Sequence, residues 1–335
     1  MAEPIAGRSG PGFGLRRAEL WVLGAAVVSV GGFVLAALWA GGLEVLVHLG
    51  RLSGALLLGL LLLSLLNYGL RLIRWQLFSR RLGLDVAWPR AALYYVAGFA
   101  LTVTPGKLGE ALRLWLLRRG HGYRYERTAA LLVGDRLSDA AATALLCLAG
   151  LSAVAGHVGL ALALAALVGS ATALAFHPGP LLTGLAWTYG RVGRWPRLFA
   201  RVRTALRQTA RLGAWSVFGP TLVLALLGWL AECVALWWLL AVFGAPLAFG
   251  QAVFVFALAM LAGGLLMLPG GVGGVEVGMV GLLAALGIEL DVAVAATAVV
   301  RATTLWFAVG LGFLALPLAL RAVGAAPAVQ ERARA

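Results

Sequence analysis

Apolar residues run through this chain in stretches of about 20, each long enough to cross a bilayer core of about 30 Å as a helix. Polar and basic stretches separate them. The pattern predicts helices over roughly 20–39, 53–78, 128–150, 156–176, 218–243 and 292–320. Two further apolar runs meet helix breakers. Residues 91–104 lead into Pro105-Gly106 and an amphipathic stretch to Arg119. Residues 250–268 lead into Pro269-Gly270-Gly271 and a second short run over 275–287. The first of these runs makes only about 21 Å of helix at 1.5 Å per residue, too little to cross. The expected fold is an all-α polytopic membrane protein. It has about six full spans plus two Pro-Gly-broken helix pairs, either re-entrant or short.

Composition supports that class. Of 335 residues, 62% are hydrophobic and 12% charged, whereas a soluble domain keeps charge near a quarter. Mean hydropathy is +0.95. One membrane domain is expected over 20–320, between a polar segment at 1–19 and a tail at 321–335. The run Leu20–Leu38 exceeds a signal-peptide core and lacks a clear cleavage site, so it reads as a retained helix. Cys147 and Cys233 lie inside apolar runs and read as small core residues.

The formal charge of +14 raises nucleic-acid binding, but no such motif occurs, and the arginines cluster between apolar runs. They follow the positive-inside rule instead. Arg8, Arg16 and Arg17 precede the first run. Arg80, Arg81 and Arg90 follow the second, and Arg118, Arg119, Arg124 and Arg127 precede 128–150. Seven arginines lie between 191 and 211, and Arg321, Arg332 and Arg334 close the chain. The loops at 40–52, 150–156, 243–250 and 287–292 are poor in positive charge. Every loop fits one path with both termini in the cytoplasm. The expected location is the inner membrane of a bacterial cell. Residues 191–212 place Trp195, Leu198, Val202 and Leu206 at helical spacing among arginines, as in a surface helix lying on an anionic leaflet.

The two broken segments resemble each other. Each is an apolar run, then Pro-Gly, then a Gly-rich turn, then a glutamate opening a helix: Glu110 in the first, Glu276 in the second. Pro105 and Pro269 are 164 positions apart, and Arg136 and Arg301 are 165 apart. This spacing predicts a repeat, with halves over about 53–176 and 218–320. Three single spans separate the starts of the halves, so the copies are inverted, a transporter architecture with its site near the midplane. The turns are assigned to Pro105, Gly106, Gly109, Pro269, Gly270, Gly271, Gly273 and Gly274, where glycine permits close approach and proline removes a donor.

Ionisable groups inside apolar runs mark sites, because they are costly and face an interior or a wet cavity. The candidate substrate-binding residues are Arg71, Arg74, Lys107, Glu110, Arg113, Arg136, Asp139, Glu276 and Arg301. Asn67, Arg71 and Arg74 share one helix face, from which the arginines either bind a ligand or snorkel to the interface. Glu110 and Arg113 are one turn apart, at pairing distance along the helix. Asp135, Arg136 and Asp139 are at pairing distance along one helix, and Glu232 is a candidate partner for Arg301. Glu110 and Glu276 either cap their helices, pair with arginine or meet a ligand. No ATP-binding loop, nucleophile elbow or metal-ligand spacing among His48, His121, His157 and His177 is found, so no cofactor, metal or catalytic residue is expected.

Asn67-Tyr68…Arg71…Arg74-Trp75, Thr104-Pro-Gly-Lys-Leu-Gly-Glu110, Asp135-Arg136-Leu-Ser-Asp139 and Leu268-Pro-Gly-Gly-Val-Gly-Gly-Val-Glu276 resemble the lysylphosphatidylglycerol synthase transmembrane, or flippase-like, family. The resemblance covers about 20–320. One departure is that Glu276 follows Pro269 by seven residues, where Glu110 follows Pro105 by five. Membership implies a membrane domain associated with lipid movement between leaflets. Bifunctional members add a soluble aminoacyl-transferase domain, which is not expected here, and stand-alone relatives include proteins linked to hopanoid-making loci. The expected function is a lipid flippase-like transporter with anionic headgroups as ligands. The alternatives are an accessory factor or enzyme of lipid, hopanoid or glycolipid modification, or a scaffold for a partner synthase. An oligomer and a lipid-synthesis partner stay open.

Overall fold

The computed structural model describes residues 43–104, 108–151, 158–265 and 269–324, with the isolated helical positions 24, 31 and 32. Most of the expected first span, Pro105, Gly106, Lys107 and the tail beyond 324 lie outside the described residues. No strand occurs among those described. A short helix, α1 (Leu43–Gly50), stands where the charge pattern gave only a loop. It is followed by α2 (Gly54–Arg81), whose N-terminus Ser53 caps by accepting from the Leu56 amide at 3.1 Å. Then come α3 (Trp88–Ala97), which tightens into a 3₁₀ turn over Gly98–Leu101, α4 (Leu108–His121) and α5 (Tyr125–Leu151). Next are α6 (Val158–Phe176), α7 (Gly179–Val192) and the basic α8 (Pro196–Ala210). The last elements are α9 (Trp215–Val242), α10 (Phe249–Leu265), a tight turn at Pro269–Gly271, α11 (Gly274–Ala285), α12 (Leu290–Arg301) and α13 (Phe307–Gly324). A single π turn over Ala302–Trp306 joins α12 to α13.

Among the described residues, three helices are long and apolar enough to span: α2, α9 and the continuous 35-residue helix Leu290–Gly324. The six spans expected are not all of that kind. Helix α5 has 27 residues but carries Asp135, Arg136 and Asp139. Helices α6 and α7 form a pair bent by 69° at Pro178, where the apolar pattern showed a single span ending at Phe176. Proline disfavours the helical region for the residue before it, which ends α6 at this point.

The molecule is built inside out. Along α2, Leu58, Leu62 and Leu66 are exposed, while Ser64, Asn67, Arg74 and Gln76 are buried. The same holds for α9, where Leu227 and Trp237 face outward and Glu232 is 1% exposed. Apolar side chains on the perimeter and polar ones inside are stable when the surroundings are hydrocarbon.

Helices α2 and α9 pack along each other at the centre. Helix α5 packs on α10, and α13 on α3 and its 3₁₀ turn, so each half of the chain reaches across to the other. Two large apolar clusters result, beside a small one around Ala144, Val168 and Leu261. One gathers α9–α12 around Leu236, Phe254 and Met279. The other gathers α3, α4 and α13 around Tyr95, Leu116 and Ala319.

The second break is a run of left-handed residues, Gly270 (φ 60°), Gly271 (φ 68°) and Gly273 (φ 88°), which only glycine adopts freely. Gly274 already belongs to α11. At the first break Gly109 serves close approach, since a Cβ there would lie 2.1 Å from the Gly98 carbonyl oxygen. Gly109→Ala is therefore expected to destabilise by about 1–3 kcal/mol through overpacking against main chain that cannot step aside. Thermal unfolding in detergent measures it.

Candidate functional site

The second helix presents a polar stripe to the interior, with Ser64, Asn67, Arg71 and Arg74 following one another at helical spacing. The lower part of the stripe meets α5. Arg74, 0% exposed, pairs with Asp135 and lies 2.8 Å from Asp139. Arg71 pairs with Asp139 and rests 5.5 Å from the Trp229 ring centroid, while the Trp229 indole N–H donates to Asp139 at 3.2 Å. Arg74 thus does not snorkel outward: Asp135 and Asp139 of α5 hold it inside. The upper part of the stripe meets α9, where Asn67 donates to Glu232 at 3.0 Å and Ser64 at 3.3 Å.

Each broken segment ends in an ion pair. Glu110 of α4 meets Arg136 of α5 at 3.1 Å, and Glu276 of α11 meets Arg301 of α12 at 2.8 Å. Arg301 also donates to the Gly270 carbonyl at 2.7 Å, tying the left-handed turn to the helix behind it. Two pairings allowed along the sequence give way to these. Glu110 pairs with Arg136 rather than Arg113, because Arg113 turns toward α3. Glu232 pairs with no arginine among the described residues, because Arg301 is taken by Glu276.

Arg113 is buried and has no carboxylate partner among the described residues. Its guanidinium carbon lies 3.9 Å from the Tyr95 ring centroid and 5.1 Å from that of Phe99, and its Nε donates to the Tyr95 carbonyl at 3.1 Å. The aromatic faces stabilise the cation without neutralising it. The seat depends on Gly98, where a Cβ would stand 2.4 Å from the Arg113 Nε. Gly98→Val should push the guanidinium off Tyr95 and weaken any anion bound there by about tenfold, as for loss of one charge-assisted hydrogen bond. A lipid-binding titration against the parent protein reads this out.

These groups surround a cavity of about 550 Å³. Arg71, Glu110, Arg113, Arg136, Asp139, Glu232 and Arg301 line its polar side. Leu167, Val168, Phe256, Met260 and Leu261 from α6 and α10 line its apolar side. Arg74 and Glu276 stand behind the wall, and Lys107 lies outside the described residues. Sequence reading named Tyr68 only within a motif and passed over Trp229 and Thr304, all three of which line the cavity. Tyr68 donates its hydroxyl to the Thr304 carbonyl, inside the π turn, where the helix ladder is disturbed. The signal for Tyr68 and Trp229 was their place on the polar faces of α2 and α9, beside Asn67 and Glu232.

The fold and the site define an all-helical, multi-pass membrane protein that turns its polar groups inward onto a charged cavity. The chain belongs to the family described as the lysylphosphatidylglycerol synthase TM region, whose pattern it matches over residues 21–312. It is 28% identical over 271 residues to a UPF0104 membrane protein of Methanothermobacter thermautotrophicus, covering 73% of this chain and 80% of that protein. It is 33% identical over 116 residues to another UPF0104 membrane protein of that organism, and the match spans 35% of each.

Proposed function

We propose that the protein binds an anionic lipid headgroup in this cavity and carries the lipid between leaflets. The observation that carries the reading is the two-sided wall. A buried arginine without a carboxylate stands with other arginines on one side, and aliphatic side chains suited to acyl chains stand on the other. The arginine fork matches phosphate geometry, and the cavity lets the headgroup pass without meeting hydrocarbon.

A repeated order of elements supports the transport reading. The order long helix, broken pair, long helix occurs twice, as α2–α5 and α9–α13, and α2 and α9 have 28 residues each. Each break closes on an arginine of the following helix. The charge-based topology has support in the loop contacts. His48 meets Asp291 at 2.9 Å and Arg51 donates to the Phe243 carbonyl at 2.7 Å, which joins three of the arginine-poor loops. At the basic loops, Glu126 meets Arg201 at 3.1 Å and Arg81 donates to the Arg211 carbonyl at 3.1 Å. Exposed Trp187 of α7, Trp195 just before α8, and Leu198 and Val202 of α8 then lie in the cytoplasmic leaflet, with the arginines at its headgroups.

Reconstitution tests the function. In vesicles carrying a fluorescent phosphatidylglycerol, outer-leaflet quenching should reach the inner-leaflet pool faster with the protein than without it. Rates equal to those of protein-free vesicles across anionic and zwitterionic lipids would reject the reading.

A further inference from the structure

Five carboxylates stand in or behind the cavity wall, and four of them touch an arginine: Glu110, Asp135, Asp139 and Glu276. The fifth, Glu232, is 1% exposed, and among the described residues it accepts only from two neutral groups, Asn67 Nδ2 and Ser64 Oγ. An ionised carboxylate at membrane depth with neutral donors alone is costly, and binding a proton relieves the cost. The surroundings provide for the protonated form. Asn67 Oδ1 is buried and has no hydrogen-bond partner among the described residues. Rotating the amide by half a turn would place that oxygen opposite Glu232, where it accepts from a carboxylic acid as readily as the NH₂ donates to a carboxylate.

We infer that Glu232 is a proton-binding site in the cavity wall, and that its proton is coupled to anion binding at Arg71. The inference rests on the headgroup reading above and gives that site a coupled ion. The connection is short. Arg71 stands one turn beyond Asn67 on α2, lies over Trp229, and Trp229 stands one turn before Glu232 on α9. The other groups facing Glu232 are few. Helix α2 brings Tyr68 and Arg71, α5 brings Asp139, and α9 itself brings Cys233. Helix α10 carries no charged residue, and Arg301 of α12 is engaged by Glu276. Loss of the proton creates a negative charge that competes with the headgroup for Arg71. Protonation removes the competitor. By linkage, the proton and the anionic lipid then strengthen each other's binding.

The test uses the full chain in lipid nanodiscs, with infrared spectroscopy and phosphatidylglycerol titration as separate readouts. At about pH 6 the wild type should show a protonated-carboxyl stretch that is missing from Glu232→Gln and fades by about pH 9, the range in which a buried carboxylate can titrate. Over the same range the phosphatidylglycerol dissociation constant should rise about five- to tenfold in the wild type and stay flat in Glu232→Gln. If the substitution prevents folding, the pH titration of the wild-type band carries the test. Absence of the band at low pH would overturn the site. A band with a flat affinity would overturn the coupling while leaving headgroup binding intact. A band with no phosphatidylglycerol binding at any pH would overturn the headgroup reading and the coupling, leaving the proton site alone.

Discussion

Replacing Arg74 with alanine is expected to cost about 3–5 kcal/mol, enough to leave most of a marginally stable membrane protein unfolded in detergent. Arg74 is 0% exposed and sits against Asp135 and Asp139, whose side chains are 1% and 9% exposed. Removing it strands Asp135, which keeps only Arg136 at 3.6 Å and Arg71 at 4.0 Å. The cost is that of an unmatched buried charge more than of the lost pair. The double change Arg74→Met with Asp135→Leu should therefore recover most of the stability, since apolar residues of similar volume often replace a buried pair at little cost. Thermal unfolding followed by circular dichroism distinguishes the single from the double variant. Lipid binding should survive in the double variant, because Arg74 does not line the cavity.

The second large effect is a contrast between two arginines that occupy matching places in the sequence. Arg301 is 4% exposed, pairs with Glu276 and holds the Gly270 carbonyl. Arg301→Gln should destabilise by about 3–5 kcal/mol, since it strands a half-buried glutamate, loses a buried cation's pairing geometry and frees the turn. Arg136 is 41% exposed, and its pair with Glu110 is screened. Arg136→Gln should change stability by no more than about 1 kcal/mol. Its effect should fall on the ligand instead, as a loss of about tenfold in anionic-lipid affinity with the melting temperature nearly unchanged. Parallel melting and binding curves for the two variants check both halves of the contrast. Equal melting losses would show that the two breaks are held alike.

Much of the site can be read from spacing alone. Glu110 with Arg136, and Glu276 with Arg301, are each about 25 residues apart, and each pair closes around a break. The left-handed turn at Gly270–Gly273 is written in its glycines. The pairings that the spacing allows but the structure does not form share one cause. Glu110 with Arg113 satisfies helix geometry, but Tyr95 and Phe99 from α3 offer Arg113 a competing aromatic seat that only packing reveals. Glu232 looks like a partner for Arg301 only until Glu276 takes that arginine. Helix α7 was not expected, because the apolar run ends at Phe176 and prolines follow at 178 and 180, although proline at the start of a helix is compatible with it. The short α1 hid in a stretch that the charge pattern marked only as a loop.

The central claim is that Arg113 is the unneutralised cation of a headgroup site. The most direct measurement is the equilibrium binding of phosphatidylglycerol and phosphatidylcholine, in one detergent, to the wild type and to Arg113→Gln. The predicted result is preference for phosphatidylglycerol in the wild type and a loss of about ten- to a hundredfold in its affinity on substitution, as for a charge-assisted hydrogen bond in a buried site. Phosphatidylglycerol binding that is as tight to Arg113→Gln as to the wild type, in a variant that still melts normally, would contradict the claim.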